Sequence, residues 1–490
     1  MFWRVSKISR KVCKVIFMSS STLFSHNHDQ GKETMELDYA KFIKYSKPGP
    51  RYTSYPTALE FKDKFLYDDY IKKLQNQDAS RPLSLYFHLP FCKNACYFCG
   101  CNVVFTSKES KMIRYMDYLK RELSILSKYL DCSREVIQMH FGGGTPTFFS
   151  AQQLDEIITE IKSYFPNFAA EAEISCEIDP RHINEEQMKV MNGHGFNRVS
   201  FGLQDFNEKV QVAVHRVQPY SITKDAMDLA RKYNMHSVNV DLIYGLPYQT
   251  LESFKETLDL ALTLDPDRFA VFNYAHVPWL KKTMRKIDET TLPLPEVKLE
   301  IMQYTIDFLT KNGYKMIGMD HFAKPEDELF GAIGKGELHR NFQGYTTKGG
   351  ADLIGVGLTS IGEGVDYYAQ NFKDMSSYEE AVDAGKLPFE RGVVLSEDDM
   401  IRQHVIMELM SNFKFDIKRF EAIYGFEFKN YFEDAILDLK PFVEEELIIM
   451  NDESIECSQT GTLLIRNIAM AFDAYMHRHA NNDKTFSKTV

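Results

Sequence analysis

A chain of 490 residues that is 44% hydrophobic has enough apolar material for a large core without disulfide staples. Its formal net charge of −11 argues against a general nucleic-acid or anionic-membrane surface, while leaving room for a local Arg or Lys cluster that receives an anionic substrate. No stretch has the apolar length needed to span a bilayer, so stable membrane insertion is not expected and a cytoplasmic location is.

Residues 1–40 read as a polar, disordered leader. Arg4, Lys7, Arg10, Lys11 and Lys14 all precede the first acid, Asp29. A transit peptide fits this pattern, and so does an upstream start codon ahead of Met18 or Met35. Residues 41–82 form an N-terminal arm. Its Pro48-Gly49-Pro50-Arg51-Tyr52-Thr53-Ser54-Tyr55-Pro56 segment predicts extended chain laid on a surface.

From residue 84 a strand–helix rhythm sets in. β-rich apolar runs at Ser84–Leu89, Val136–Phe141, Glu173–Ile178, Arg198–Leu203, Ser237–Tyr244 and Arg268–Tyr274 alternate with amphipathic stretches at Lys111–Leu130, Gln152–Tyr164, Glu185–Gly193, Ile222–Tyr233 and Leu251–Leu264. The pattern predicts an α/β fold, a partial (β/α)6 barrel over 83–375, with a possible seventh run at Tyr314–Met319. After residue 395, periodic segments at Leu395–Asn412, Ile417–Tyr424, Tyr431–Leu439 and Thr462–Met476, with a hairpin over Leu447–Ile455, predict a mainly helical, winged-helix-like C-terminal domain over 376–490. Its acids, such as Glu444 to Glu446, favour a lid or packing role over DNA binding.

In barrels of this kind the site lies at the carboxyl ends of the strands. Polar or Gly-rich groups fall there repeatedly: Cys92 onward, Gly142–Thr145, Glu177 and Asp179, Gln204, and Asn273–His276. Of the eight cysteines, Cys92, Cys96, Cys99 and Cys101 crowd into ten residues, whereas Cys13, Cys132, Cys176 and Cys457 are scattered, which points to metal binding. Three thiolates spaced C-x3-C-x2-C hold three irons of a cubane and leave the fourth open to a ligand. Zinc, the main alternative, prefers four ligands in two separated pairs, and no second pair lies downstream. Taken singly, Gly142–Gly144 would also serve as a tight turn, and Arg216 or Asp241 as an ordinary ion-pair residue.

The C-x3-C-x2-C run after a first strand, with Phe98 just before Cys99, resembles the radical S-adenosylmethionine superfamily. More narrowly, residues 40–490 resemble the oxygen-independent coproporphyrinogen III oxidases (dehydrogenases). The resemblance rests on Pro50–Pro56, the cysteine run with Cys101, Phe141–Thr147, Asn239–Pro247, Met319–Phe322 and Arg340–Thr347. It implies a [4Fe–4S] cluster on Cys92, Cys96 and Cys99 and two molecules of S-adenosylmethionine. The reaction it implies is oxidative decarboxylation of two propionates of coproporphyrinogen III to vinyl groups, giving protoporphyrinogen IX in haem biosynthesis, by way of a 5′-deoxyadenosyl radical.

The same resemblance places Tyr86, Gly143, Glu177 and Ile361 on the first S-adenosylmethionine. It places Phe98, Gly144, Thr145, Gln204, Arg216, Asp241 and Ala275 on the second. His88, beside the cluster loop, is a candidate catalytic or substrate contact, with a packing role as the alternative. Cys101, the other catalytic candidate, belongs to the family pattern without being a cluster ligand. Asp320 and His321 are weaker candidates for substrate binding. A monomer is implied, served by a reductant such as a flavodoxin or ferredoxin. Rival readings are a haem chaperone of the same superfamily, a radical methyltransferase or haem-degrading enzyme, and a plain electron-transfer protein. Cys101, the Arg51–Pro56 arm and the Arg340–Thr347 motif argue against the chaperone.

Overall fold

The computed structural model describes residues 39–62, 64–333 and 335–476, so the leader expected over 1–40 lies almost wholly outside the described residues. The chain divides into two compact units.

The larger unit comprises residues 60–305 and 351–394. Its first six long strands are β1 (Leu83–Leu89), β2 (Val136–Gly143), β3 (Phe168–Ile178), β4 (Arg198–Gln204), β5 (Ser237–Tyr244) and β6 (Arg268–Asn273). Each pairs in parallel with the next. The intervening helices are α1 (Glu109–Leu126), α2 (Ala151–Tyr164), α3 (Glu185–Gly193), α4 (Tyr220–Lys232) and α5 (Leu251–Leu262). This is the anticipated (β/α)6 order. β1 is nearly continuous apolar sequence and is buried along almost its whole length, as a strand covered on both faces must be.

The sheet grows on the side of β1 away from β2. β7 (Asp352–Val356) joins β1 in parallel, and β8 (Ile361–Glu363), β9 (Tyr367–Asn371) and β10 (Phe389–Val394) follow antiparallel. Within this unit the order is β10-β9-β8-β7-β1-β2-β3-β4-β5-β6. One buried carboxylate, Asp352, ties the amino end of β7 to the segments entering β1 and β2. It accepts from Arg81 Nε at 2.8 Å and from Arg134 Nη2 at 2.6 Å.

Two expectations change here. The seventh run shrinks to a two-residue strand: Lys315–Met316 turns back and pairs antiparallel with His321–Ala323, and both are counted in the smaller unit. Gly318 lies in that reversal, where a Cβ would come within 2.4 Å of the Tyr345 ring. The domain boundaries shift as well, because 306–350 belongs to the smaller unit, and 376–394 stays with the barrel through the β9–β10 pairing.

Helix starts are written locally. Ser150 with Gln153, Asn184 with Gln187, and Thr250 with Ser253 form reciprocal capping boxes at α2, α3 and α5. Gln187 does more than cap. Its buried Nε2 donates to the carbonyls of Thr147 at 2.7 Å and Phe149 at 2.6 Å, fixing the chain that leaves the glycine loop.

The smaller unit joins the described parts of 1–59, 306–350 and 395–490. Helices at Glu397–Asn412, Ile417–Tyr424 and Glu433–Glu444 accompany a three-stranded sheet. In that sheet the expected hairpin, Ile448–Met450 with Ser454–Cys457, gains Lys414–Asp416 as a third strand. The last predicted helix is broken into short turns at Gln459–Leu463, Ile465–Ala469 and Met470–Phe472. The Pro48–Pro56 segment avoids helix as anticipated, but it bends, with Tyr52 at φ +47°, and it is far from superficial, since Tyr52 and Tyr55 are fully buried. Tyr52 Oη donates to Asp473 at 2.9 Å, and Tyr55 Oη accepts from the Ala474 amide at 3.0 Å.

Candidate active site

The cysteine loop starts where β1 ends. Phe91–Cys92 pairs in parallel with Val104–Phe105, so the chain between them closes on itself. The Tyr97 amide donates to the Val214 carbonyl at 2.9 Å, His215 stacks on the Tyr97 ring at 5.0 Å, and His215 Nδ1 donates to the Ala95 carbonyl at 2.9 Å. The loop is thereby tied to the segment that follows β4.

Cys92, Cys96 and Cys99 line one cleft at the carboxyl ends of the strands. Each thiol has a neighbour. Cys92 Sγ lies 3.4 Å from Thr145 Oγ1, and the Cys101 amide donates to Cys99 Sγ at 3.4 Å. Cys96 Sγ faces two guanidiniums, Arg216 Nη1 at 3.6 Å and Arg181 Nη2 at 3.8 Å. Both arginines also bind Asp179, at 2.9 and 2.6 Å. Burial opposes the charged form of Asp179, but Arg216 and then Arg181 outweigh it and hold the carboxyl down at about 2. Hydrogen bonds from Cys101 likewise lower the Cys99 thiol, favouring thiolate.

The second wall is the turn after β2. Gly143 has φ +115°, and a Cβ there would meet the His88 ring at 2.8 Å. A Cβ on Gly144 would meet the Pro90 and Phe91 backbone at 2.7 Å. These glycines therefore let the backbone pass against β1 and the cysteine loop, where the Gly144 and Thr145 amides donate to the Leu89 and Phe91 carbonyls at 2.9 Å. The Gly143 amide donates to Glu177 Oε2 at 3.2 Å.

The far wall comes from β4 and β5. Gln204 is held at φ +71°, and its buried Oε1 has no hydrogen-bond partner. Asp241 accepts from Ser200 Oγ at 3.1 Å and from Asn239 Nδ2 at 2.7 Å. Arg216 Nη2 donates to the Gly202 carbonyl at 2.6 Å, against a glycine whose Cβ would come within 3.0 Å of that guanidinium.

Of the residues singled out from sequence, Phe98, Cys101, Gly143, Gly144, Thr145, Glu177, Gln204, Arg216 and Asp241 meet in the cleft with the three cysteines. Tyr86, His88, Ala275 and Ile361 are not among its lining residues. Tyr86 stacks on His140 at 5.9 Å, and a Cβ at Gly142 would touch both Tyr86 and Glu177. Ala275 follows β6, and Ile361 opens β8. His88 departs from the expectation of a proton-exchanging group. It is buried, its Nδ1 accepts from Tyr86 Oη at 3.0 Å, and its Nε2 donates to the Asn102 carbonyl at 3.0 Å. Burial lowers its pKa, which favours the neutral ring. Arg181 was missed from sequence, and Asp179 was noted only as a strand-end acid. The Asp-Pro-Arg run just past β3 was the available signal.

The donor set fits an iron–sulfur cluster. Three thiols along one loop, with two guanidiniums beside the middle one, suit a larger anionic group.

The comparisons with known proteins agree. Residues 86–261 match the radical SAM superfamily and 395–464 the HemN C-terminal domain. The oxygen-independent coproporphyrinogen III oxidase of Helicobacter pylori (strain J99) is 55% identical over 93% of this chain and 99% of its own length. That of Escherichia coli (strain K12) is 43% identical over 94% and 99%. A solved structure of coproporphyrinogen III oxidase (HemN) from Escherichia coli, described as a radical SAM enzyme, superposes with a TM-score of 0.86 at 44% identity, covering 90% of this chain and all of that one. With its cysteine triad, glycine loop and strand-end carboxylates gathered in one cleft, the chain belongs to the oxygen-independent coproporphyrinogen III oxidases, radical SAM enzymes that use a [4Fe–4S] cluster and S-adenosylmethionine.

Proposed function

We propose that this chain oxidatively decarboxylates two propionate side chains of coproporphyrinogen III to vinyl groups, giving protoporphyrinogen IX in haem biosynthesis. The observation that carries this reading is the convergence of Cys92, Cys96 and Cys99 with Gly143–Thr145 and Arg216 on one cleft, in a chain of this family. When bound, the cluster and S-adenosylmethionine would supply the one-electron chemistry that removes a hydrogen atom from a propionate, with CO2 released and the last electron passed to a one-electron acceptor.

The chain's own residues bind and orient. Cys92, Cys96 and Cys99 hold three irons, and Arg181 and Arg216 offset the charge brought in beside Cys96. Gly143 and Glu177, joined by that hydrogen bond, contact the first S-adenosylmethionine, whose site Tyr86 and Ile361 complete. Gly144, Thr145, Phe98, Gln204, Arg216, Asp241 and Ala275 form the site of a second molecule. Gln204 Oε1, buried and unpartnered, supports that role by offering an acceptor to a ligand donor. His88, with both ring nitrogens engaged, is a positioning residue that fixes Tyr86 and the carbonyl of Asn102. Cys101 steadies Cys99 through its amide, and its own carbonyl accepts from Lys281 Nζ at 3.0 Å.

No helix of the described residues is long and apolar enough to cross a membrane. The enzyme is read as a cytoplasmic monomer reduced by a flavodoxin- or ferredoxin-like donor. The test is anaerobic: reconstituted protein, reductant, S-adenosylmethionine and coproporphyrinogen III, followed by tetrapyrrole and nucleoside analysis. Vinyl product and 5′-deoxyadenosine together are expected, and absence of both with an intact cluster would sink the reading. Cys96→Ser should lose both products while the apoprotein unfolds at a temperature close to the parent's.

A further inference from the structure

The smaller unit contains a second concentration of charge that the cluster site does not use. Arg51 comes from the extended arm, Arg340 from the strand His339–Asn341, and Arg466 from the short helix Ile465–Ala469. All three act on one carboxylate, Asp320, or on one another. Asp320 Oδ1 is 2.6 Å from His321 Nδ1. Burial opposes its ionisation, but His321, Arg340 and Arg51 outweigh that and hold it at about 2. Arg466 is pushed the other way, down to about 9, by burial and by repulsion from Arg51 and Arg340, with Asp320 and Tyr52 opposing. Asp473, on the Tyr52 side of the group, accepts from Tyr52 Oη at 2.9 Å.

Cations therefore outnumber anions at this place, and one of them has unused donors. Arg340 lies over the Tyr345 ring at 4.8 Å, and His321 packs edge-on to the same ring at 5.1 Å. Yet Nε and Nη1 of Arg340 are buried with no hydrogen-bond partner. Buried guanidinium donors are normally satisfied, and an arginine pair is the usual receptor for a carboxylate. Arg466, by contrast, is anchored through Nε to the Pro50 carbonyl at 2.9 Å and through Nη2 to that of Gly49, which places the following residue, Arg51, in the same group.

We infer that Arg340 and Arg51, seated by Asp320, Tyr345 and Arg466, form a carboxylate-binding site that takes a propionate of the tetrapyrrole. The inference rests on the proposed substrate, which carries four such groups. The methionine carboxylate of S-adenosylmethionine shares the chemistry and is separated from it by the test.

The test uses full-length, reconstituted protein with oxidised coproporphyrin III, a non-reacting carboxylate probe, and its tetramethyl ester as the uncharged control. Arg340→Gln and Arg51→Gln are each expected to weaken coproporphyrin III binding at least about tenfold. Ester binding, cluster spectrum and S-adenosylmethionine affinity should stay within twofold, and Arg340→Lys should recover part of the loss. Arg51 is exposed, so Arg51→Gln keeps the test decisive if Arg340→Gln fails to fold. Acid binding within twofold of the parent in folded variants overturns the site. Equal losses for acid and ester, or a loss in S-adenosylmethionine affinity instead, also overturn it. A parent that makes no vinyl product yet shows Arg340-dependent coproporphyrin binding would defeat the decarboxylation reading and leave the carboxylate site standing. A parent that turns over while both variants bind normally would do the reverse.

Discussion

Arg216 shows how much one side chain does at the cluster. It is buried, contacts Cys96 Sγ, pairs with Asp179 and caps the Gly202 carbonyl. Removing one member of a buried ion pair strands the other, at a cost of about 3–5 kcal/mol. Arg181 still holds Asp179, so Arg216→Ala should fall at the low end, measurable by denaturant unfolding of the apoprotein, together with slower S-adenosylmethionine cleavage. Gly143→Ala should act more locally. A side chain at φ +115° and 2.8 Å from the His88 ring is expected to cost about 1–3 kcal/mol. Its loss of S-adenosylmethionine binding should exceed its loss of iron content, as titration and iron analysis of the same sample would show.

At the scale of elements, α3 governs the glycine loop without touching the cleft. Gln187 caps its own helix and donates to two buried carbonyls behind Gly142–Thr145. Gln187→Leu fills similar volume but leaves both carbonyls without that donor, a penalty of about 1–3 kcal/mol for each buried group left unmade. The loop should then loosen, raising the KM for S-adenosylmethionine with little change in bound iron. A variant with unaltered KM would show that the loop is held by its backbone alone.

Within the barrel unit as a whole, the closing device is a buried acid. Glu122 of α1 accepts from the Gly357 amide at 2.9 Å, Asn371 Nδ2 at 2.7 Å and Tyr378 Oη at 2.5 Å. It thus ties the helix after β1 to the chain that forms β7 to β9. Burial raises its pKa from 4.5 to about 7 despite those donors. The folded state therefore binds more protons than the unfolded state between these values. The contribution of Glu122 to stability is complete below about pH 4.5 and is lost as pH rises through about 7. Glu122→Gln should abolish that part of the pH dependence. Unfolding free energies of parent and variant should lie closest near pH 4.5, where Glu122 is neutral like Gln, and should separate as pH rises to 8; parallel curves across the range would refute the assignment.

The local sequence determined the rhythm and the chemistry of the ligands. Alternating apolar runs and capping residues act over a few positions, so β2 and α3 begin where the sequence reading placed them, and Cys92, Cys96 and Cys99 share one loop by spacing alone. What the tertiary structure decided depends on partners remote in the chain. Arg216 reaches Cys96 across 120 residues, β7 pairs Asp352 with Leu83, and Arg466 anchors to Pro50 across 416 residues. The run at Tyr314–Met319 is strand only at Lys315–Met316, because periodicity records which face of a segment is apolar, but not where the chain reverses. His88 looked reactive for a related reason: side-chain type sets what a ring nitrogen can do, and only its surroundings show that both nitrogens are already engaged.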